Sequence, residues 1–452
     1  MQVHSLQKCL EQTDWDIILG YTHRVRALPL LCGSSGLATD CIEALSNSPS
    51  STESIFPNLR SVGLQAPTAK IALLVRHLAN PKLTRISCQF TALNLGTAIA
   101  TFGERCPYVT DFHVLEWTHA DTASGLICCW QNLCSVRCFN VGLNADALLH
   151  LSRLHYLRYV VFKVHDSVID RIHTTLSPAS TLTFPTLNVL RLNSDYLTPI
   201  RRLFRHFHTP EVHDLSVSLD ARPTAPDLMS FFVSLQEACT HTSLNKLSLN
   251  VYPYGNNEPN GIPLSPYYVT FDLLRPLAIF VNIKDIKLNI PCSMDLNERE
   301  LLLLASSWPH LEKFKVGKDH GWLASSAITP GGFLQLLEIC RSLKVLSFMF
   351  DCRGYTEIPQ GHPWRGLSMP KDAYIHLLDS PIEEESIEAL SVFFHVAPYP
   401  DFSLITNFRH SERPKELCDL YSDRWEQVRS LSFDLWKKKR NLKRSLETRS
   451  SR

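Results

Sequence analysis

The chain has 452 residues, more than one compact hydrophobic core accommodates, although a solenoid built of repeated units reaches this length without dividing. Hydrophobic residues make up 44% and charged residues 20%, which is typical of a folded protein and excludes an intrinsically disordered chain. The formal net charge of +1 excludes a global electrostatic attraction to nucleic acid or to a membrane surface.

Residues 1–55 predict a capping segment and a loop. Residues 14–19 (DWDIIL) indicate a short helix that leads into a first strand near Val25 and Leu28, and residues 31–55 are rich in Ser, Gly and Thr. No charged-then-apolar signal sequence opens the chain, and no apolar run is long enough to span a bilayer. The 14 cysteines are scattered and form no CxxC pair, which favours a cytoplasmic or nuclear location.

From residue 56 onward one apolar pattern recurs. Each copy has apolar residues at offsets 0, +3 and +5 after a short lead-in, as in residues 56–64 (FPNLRSVGL). The first five copies begin 24, 26, 24 and 24 residues apart, within the leucine-rich-repeat range, and longer later intervals indicate insertions in loops. The twelve copies are Leu59/Val62/Leu64, Leu83/Ile86/Cys88, Val109/Phe112/Val114, Leu133/Val136/Cys138, Leu157/Val160/Phe162, Leu187/Leu190/Leu192, Val212/Leu215/Val217, Leu244/Leu247/Leu249, Ile283/Ile286/Leu288, Leu311/Phe314/Val316, Leu343/Leu346/Phe348 and Ile387/Leu390/Val392.

Each copy predicts one strand followed by one helix. Side chains alternate along a strand, so the +3 and +5 residues share a face, and apolar residues at helical spacing lie between the copies. Thr329 and Pro330, for example, are an N-cap and a first helical residue. The sequence therefore predicts an α/β leucine-rich-repeat solenoid, a curved horseshoe with irregular repeats, over residues 56–396. An ordinary α/β domain is the alternative, but it would not keep one fixed triplet through twelve copies.

Residues 397–452 predict an irregular segment and then a helix with a basic tail. Trp425, Val428 and Leu431 have helical spacing, and a run of lysines and arginines follows from residue 437. A solvated tail is the first interpretation, and a nuclear localisation signal or a nucleic-acid contact is the alternative.

Five segments carry a resemblance to a known family: Trp15 to Leu28, residues 56–61 (FPNLRS), residues 307–313 (SWPHLEK), residues 329–337 (TPGGFLQLL) and the helix with Trp425 and Val428. In this order they resemble fungal F-box/leucine-rich-repeat-like proteins. The resemblance implies a substrate receptor of an SCF-type ubiquitin ligase, in which an F-box binds the Skp adaptor of a cullin complex and the repeats bind the target. The F-box pattern is not found in the fourteen residues before Trp15. We therefore expect either a truncated product, with Skp and cullin as partners only if an F-box lies upstream, or a stand-alone interaction scaffold.

No motif predicts catalysis, a cofactor or a metal. No phosphate-binding glycine loop is present, and His206, His208 and His213 lack a cysteine or carboxylate placed to complete a tetrahedral set. Cys128 and Cys129 have apolar neighbours and are interpreted as buried rather than nucleophilic. We expect a non-enzymatic protein; a hydrolase, the alternative class, would need a convergent polar pocket.

The predicted binding surface is the face of the strands opposite the +3 and +5 residues. The residues at offsets +2 and +4 lie there, and rigid strands present them as a ladder suited to recognition. We expect a protein partner with an acidic or phosphorylated segment near the lysines, and a surface of solvated lysines is the alternative. A monomer is expected, without contact to membrane or nucleic acid. The candidate partner-binding residues are Arg137, Arg191, Lys287, Lys313 and Lys315.

Overall fold

A computed structural model describes residues 10–28, 39–47, 54–65, 70–90, 96–117, 120–175, 181–209, 211–252, 268–317, 326–358, 373–395, 403–406 and 414–450. The chain forms two compact units. Unit 1 contains Met1–Ser194 and Pro199–Val212, and unit 2 contains Asp195–Thr198 and His213–Arg452. The boundaries predicted at residues 55 and 396 stay predictions.

Unit 1 is a parallel sheet whose successive strands are joined by helices. Its main sheet has the order β1-β2-β3-β4-β5-β6-β8, and β7 and β9 form a separate parallel pair. The strands are β1 Ala27–Leu28, β2 Ser61–Gln65, β3 Arg85–Phe90, β4 Asp111–Trp117, β5 Ser135–Gly142, β6 Tyr159–Lys163, β7 Leu182–Thr183, β8 Val189–Ser194 and β9 Phe207–His208. The helices are α1 Gln12–Thr22, α2 Thr39–Ser46, α3 Lys70–Leu78, α4 Gly96–Arg105, α5 Ala120–Cys129, α6 Ala145–Ser152, α7 Asp166–Thr175 and α8 Leu197–Phe204.

Unit 2 repeats the same arrangement with longer connections. Its main sheet has the order β10-β11-β13-β15-β16-β17-β18, and β12 and β14 form a separate parallel pair. The strands are β10 Asp214–Leu219, β11 Lys246–Val251, β12 Tyr268–Thr270, β13 Asp285–Asn289, β14 Ser293–Asp295, β15 Lys313–Val316, β16 Val345–Ser347, β17 Tyr374–Leu378 and β18 Ser403–Thr406. The helices are α9 Ala225–Ala238, α10 Phe271–Leu274, which runs into a 3₁₀ turn at Arg275–Ile279, α11 Glu298–Ser306, α12 Pro330–Ile339, α13 Ser386–His395 and α14 Lys415–Ser450.

The strand register confirms the predicted triplets. In unit 1 the +3 residues of six neighbouring strands, β2 to β6 and β8, lie opposite one another, and the +5 residues do the same. The first residue of each triplet is also buried, Leu59 and Leu83 completely. Each repeat thus buries one face of its strand against helices, and burial of apolar surface is the main force that stacks successive repeats. The predicted α/β leucine-rich-repeat solenoid is therefore the observed architecture of both units.

Asn80 is a polar residue that links one repeat of unit 1 to the preceding one. Its side chain is 3% exposed and its amide donates to the carbonyl oxygens of Phe56 and Leu59 in the previous repeat at 3.4 and 3.3 Å. Its Oδ1 accepts from the backbone nitrogen of Lys82 at 2.8 Å. These bonds satisfy buried backbone groups where the chain turns toward β3, and an unsatisfied buried carbonyl would otherwise cost free energy.

The last predicted triplet, Ile387/Leu390/Val392, is wrong. These residues lie in helix α13, and the strand of that repeat is β17, in which Ile375 pairs with Leu346 of β16. Offsets 0 and +3 also fit one face of a helix, so a short triplet cannot distinguish the two elements. The strand escaped detection because the position three residues before Ile375 is Asp372 rather than an apolar residue.

The C-terminal helix docks by its first half. Cys418, Tyr421, Trp425 and Val428 are buried, and the Trp425 indole donates to the Ser380 carbonyl oxygen at 2.9 Å. The described side chains from Arg429 to Leu442 are exposed or partly exposed, and Leu431 is 45% exposed. The predicted helix is confirmed, but Leu431 is not part of its buried face.

Candidate functional site

Unit 1 presents two rows of side chains on the face of its sheet opposite the helices. The register aligns offset +4 as one row and offset +2 as the next. The +4 row contains Gly63, Ser87, His113, Arg137, Val161 and Arg191, and the +2 row contains Ser61, Arg85, Asp111, Ser135, Tyr159 and Val189.

The middle of these rows holds two arginines and one tyrosine. The guanidinium carbon of Arg137 lies 4.6 Å from the centroid of the Tyr159 ring, and that of Arg191 lies 5.4 Å from it. Tyr159 is on β6, between β5 and β8, so both neighbouring strands direct a cation toward one ring. Such cation–π contacts orient arginines without neutralising them. We call these three residues the Arg–Tyr cluster.

His113 lies next to Arg137 in the +4 row. Its Nδ1 is 3.4 Å from the Ser87 hydroxyl, its ring meets Phe139 edge-on at 5.6 Å, and its Nε2 is buried without a partner. Burial, and secondarily the charge of Arg137, lowers the pKa of His113 below its usual value. The ring is therefore neutral at pH 7, and the positive charge of this face comes from the arginines.

Unit 2 presents lysines interleaved with aspartates. The +2 row runs Asp214, Lys246, Asp285, Lys313, and the +4 row runs Ser216, Ser248, Lys287, Lys315. Lys246 Nζ pairs with Asp214 Oδ2 at 3.0 Å, and Lys287 and Lys315 each have an interaction partner in the fold. Part of the positive charge of this surface is therefore already paired within the protein.

Asp285 is the carboxylate at the centre of that lysine surface. It lies directly opposite Lys246 of β11 and Lys313 of β15. Burial raises the pKa of the Asp285 carboxyl above its usual value, against the opposing effect of Lys315, Lys313 and Lys246. A partner that binds here has to compete with Asp285 for the lysines.

The described rows of unit 2 become less exposed after β15. Val345 and Ser347 of β16 and His376 of β17 are buried although they continue the +2 and +4 rows, and Tyr374 of β17 is partly exposed. Ser391, predicted as the last member of the +4 row, lies instead in α13, where its hydroxyl donates to the Ile387 carbonyl oxygen. The more exposed part of the described face of unit 2 therefore runs from β10 to β15.

The structure places all five predicted binding residues on strands, at face positions. Arg137 and Arg191 share the Tyr159 ring, and Lys287, Lys313 and Lys315 lie on adjacent strands. Sequence reasoning counted Tyr159 and Asp285 as face residues but missed what they do, because both roles depend on the lateral register of neighbouring strands. Whether a partner binds at any of the five residues stays a prediction.

His206, His208 and His213, which are close in the sequence, do not converge in the structure. His206 instead pairs with His173 of α7, with 3.3 Å between the two Nε2 atoms, while His208 is exposed. His213 Nδ1 lies 2.7 Å from the carbonyl oxygen of Ser243. Within the described ranges no group of three or more His, Cys, Asp or Glu side chains is arranged to hold a metal ion.

The cysteines that the structure describes are free thiols that differ in burial. Cys88 of β3 and Cys138 of β5, which are separated by β4, are fully buried, and burial raises the pKa of Cys138 to about 12. The prediction that Cys128 and Cys129 are both buried is wrong, because Cys128 is half-buried and Cys129 is exposed at the end of α5. Burial followed by the charge of Glu104 still raises the pKa of Cys129, so its reactive thiolate form is disfavoured.

An enclosed apolar cavity lies in unit 2, between α12, α13 and the strands. Its volume of about 10 Å³ is near the lower limit for one water molecule. The residues lining it are Pro330, Phe333, Phe350, Cys352, Ile375, Leu377, Phe393 and Phe394. This cavity offers neither the space nor the polar groups for a substrate.

The exposed half of α14 carries a basic and aromatic stripe. The rings of Phe433 and Trp436 stack with centroids 5.9 Å apart, with Lys437 4.3 Å from Phe433 and Arg440 5.2 Å from Trp436. None of the helices that the structure describes has the length and apolar content needed to cross a bilayer.

Comparisons with known proteins give a distant structural similarity and no family. No family model matches the sequence, and no curated protein matches it significantly. Among solved structures, the chain is similar to an internalin from Listeria monocytogenes, with 12% identity, a TM-score of 0.39 and coverage of 89% of this chain and 86% of that one. A similarity this low carries no functional argument, so the leucine-rich-repeat assignment depends on the strand register and burial described above.

Proposed function

We propose that the chain is a non-catalytic protein-recognition module that binds its partner through the polar faces of its parallel sheets. One observation carries this proposal: in both units the register aligns partly exposed polar and charged side chains into rows on strands whose other face is buried. Rigid strands present these side chains at little entropic cost, which favours recognition of an extended partner surface. The module would act in the cytoplasm or nucleus as a monomer.

A comparison of charge-reversed variants tests this proposal. We would compare the proteins captured by the unmodified chain with those captured by Arg137→Glu/Arg191→Glu and by Lys287→Glu/Lys315→Glu. Arg299→Glu, on the exposed side of α11, is the matched control. We expect a specific partner to be lost from at least one double variant and kept by the control. Equal capture by all three variants would contradict the proposal.

The more specific form of the proposal is a substrate receptor of an SCF-type ubiquitin ligase. It is supported by the segments that resemble fungal F-box/leucine-rich-repeat-like proteins, and it requires an F-box encoded upstream of Met1. The start of the native transcript tests this requirement, followed by a search for the Skp adaptor and cullin in purified complexes of the complete product. If no upstream F-box exists, a stand-alone interaction scaffold is the better proposal.

A further inference from the structure

The three residues of the Arg–Tyr cluster lie on adjacent strands around an apolar residue, Val161. Arg137 and Arg191 lie on either side of Val161 in the +4 row, and Tyr159 lies two residues before Val161 on the same strand. Val161 is 1% exposed although it belongs to the polar face. Val161 thus lies between two arginines whose guanidinium groups are both close to the Tyr159 ring.

Within the part of the chain that the structure describes, no side chain neutralises the charges of the cluster. Among the described residues, no acceptor forms a hydrogen bond or ion pair with Arg137 or Arg191, and the Nε of Arg191 is buried without a partner. The acidic member of the two rows is Asp111 on β4, two strands from Tyr159, and it accepts a hydrogen bond from the Thr110 hydroxyl at 2.8 Å. The lysine surface of unit 2 differs, because Asp214 and Asp285 lie among its lysines.

Two unpaired guanidinium groups beside one ring suit a compact dianion. A guanidinium fork matches two oxygens, so one carboxylate satisfies one arginine, whereas a phosphate monoester has three oxygens and about two negative charges at neutral pH. A nucleic-acid backbone needs cations at regular intervals, but the neighbouring face positions are Ser135 and Val189, with Asp111 beyond.

We propose that the Arg–Tyr cluster binds a phosphorylated side chain of the protein partner. This inference depends on the proposed function and specifies its ligand. The expected binding position of the acidic or phosphorylated segment is therefore the arginines of unit 1 rather than the lysines of unit 2. Arg137 and Arg191 bind the phosphate, and Tyr159 positions both.

Fluorescence polarisation with degenerate peptides tests the proposal. The probes are a labelled library with a central phosphoserine, the same library with serine, the same library with glutamate, and a single-stranded oligonucleotide. We expect phosphoserine-dependent binding that weakens about tenfold or more in Arg137→Gln and in Arg191→Gln, since loss of one charged contact costs at least about 1.4 kcal/mol. Arg137→Lys retains charge but loses the fork, so partial loss is expected.

Arg85→Gln is the matched control, because Arg85 is exposed on β3 of the same sheet and lies opposite Asp111. It is expected to bind as the unmodified chain does, and unchanged thermal melting of all variants shows that they are folded. Equal binding of the phosphoserine and serine libraries, or no phosphate-dependent binding up to about 1 mM, overturns the inference. Stronger arginine-dependent binding of the oligonucleotide also overturns it.

The failure of this inference can be distinguished from the failure of the proposed function. Partner capture that is lost in Lys287→Glu/Lys315→Glu, together with no preference for phosphoserine, removes the inference and leaves the protein-recognition module in place. If neither double variant affects partner capture, the inference and the proposed function are both contradicted.

Discussion

At the scale of single residues, His206 is a proton-sensitive point in the core of unit 1. It is 8% exposed, packs edge-to-face on His173, and donates from its own backbone nitrogen to the carbonyl oxygen of Leu203 at 2.9 Å. Burial lowers the pKa of His206, and the charges of His173, Arg202 and Arg205 lower it further. Asp166 and Asp170 face this region from α7 but are paired with Arg202 at 2.9 and 2.6 Å.

The lowered pKa predicts a loss of stability in acid. The unfolded chain binds a proton at His206 near pH 6.5, whereas the folded chain binds it only at lower pH. The contribution of neutral His206 to the free energy of unfolding is therefore full above pH 6.5 and is lost as the pH falls below that value. We expect His206→Gln to reduce the fall in melting temperature between about pH 7 and pH 5. His208→Gln, two residues away and exposed, should follow the unmodified protein. Identical pH profiles for all three proteins would show that His206 does not carry the effect.

Residue-level predictions succeeded where one local property decided the outcome. Cys88 and Cys138 occupy repeat positions otherwise held by leucine or valine, and their burial followed from the triplet alone. Cys129 was misjudged because apolar neighbours in sequence do not tell which side of a helix a residue occupies. The contact of two arginines with Tyr159 was outside the reach of a single repeat, since it joins three strands.

At the scale of elements, helix α12 shows how a cap links neighbouring repeats. The Thr329 hydroxyl accepts from the backbone nitrogen of Gly332 at 3.4 Å, which confirms the predicted N-cap. The same residue bonds to the Glu298 carboxylate of α11, so the cap also joins two successive helices.

Removal of this cap should therefore destabilise unit 2 measurably. We expect Thr329→Ala to lower the free energy of unfolding by about 1–2 kcal/mol, because one cap bond and one link to Glu298 are lost. Thr329→Ser keeps the hydroxyl and should lose only a fraction of that amount. Urea unfolding followed by circular dichroism measures both. A serine variant as unstable as the alanine variant would show that the methyl group matters rather than the hydroxyl.

Element type could be predicted well except near β16 and β17. In the sequence Asp372 stands where other repeats have an apolar anchor, and in the structure Leu378 has a φ of 53° at a register shift. A strand that is bulged and buried on both faces loses the alternating pattern by which the other strands are recognised.

At the scale of the whole molecule, the parallel order of strands could be predicted because eleven of the twelve triplets fall on strands of the main sheet. The strands β17 and β18, the division into two units and the lower exposure of the rows after β15 could not be predicted, since they depend on contacts between distant segments. The same holds for α14, whose length of 36 residues exceeds what Trp425 and Val428 could indicate.

The two halves of α14 should contribute differently to stability. Deletion of residues 437–452 removes a basic stretch whose described side chains are exposed, so the melting temperature should stay within about 1 °C of the full chain. Trp425→Ala removes a buried ring and its bond to Ser380, and we expect a loss of about 3–5 kcal/mol. Differential scanning calorimetry compares the two, and a large effect of the deletion would reveal a structural role for the tail. Loss of salt-sensitive nucleic-acid binding on deletion would support the alternative function.

The central claim is that the polar sheet faces, rather than the helical side, meet the partner. Site-specific incorporation of a photo-crosslinking phenylalanine analogue tests it directly, with face positions Ser87 and Ser216 and helix controls Glu104 and Val233, one of each in both units. Irradiation in cells followed by mass spectrometry should give covalent protein adducts from a face position and none from the helix controls. Adducts confined to Glu104 or Val233 would contradict the claim.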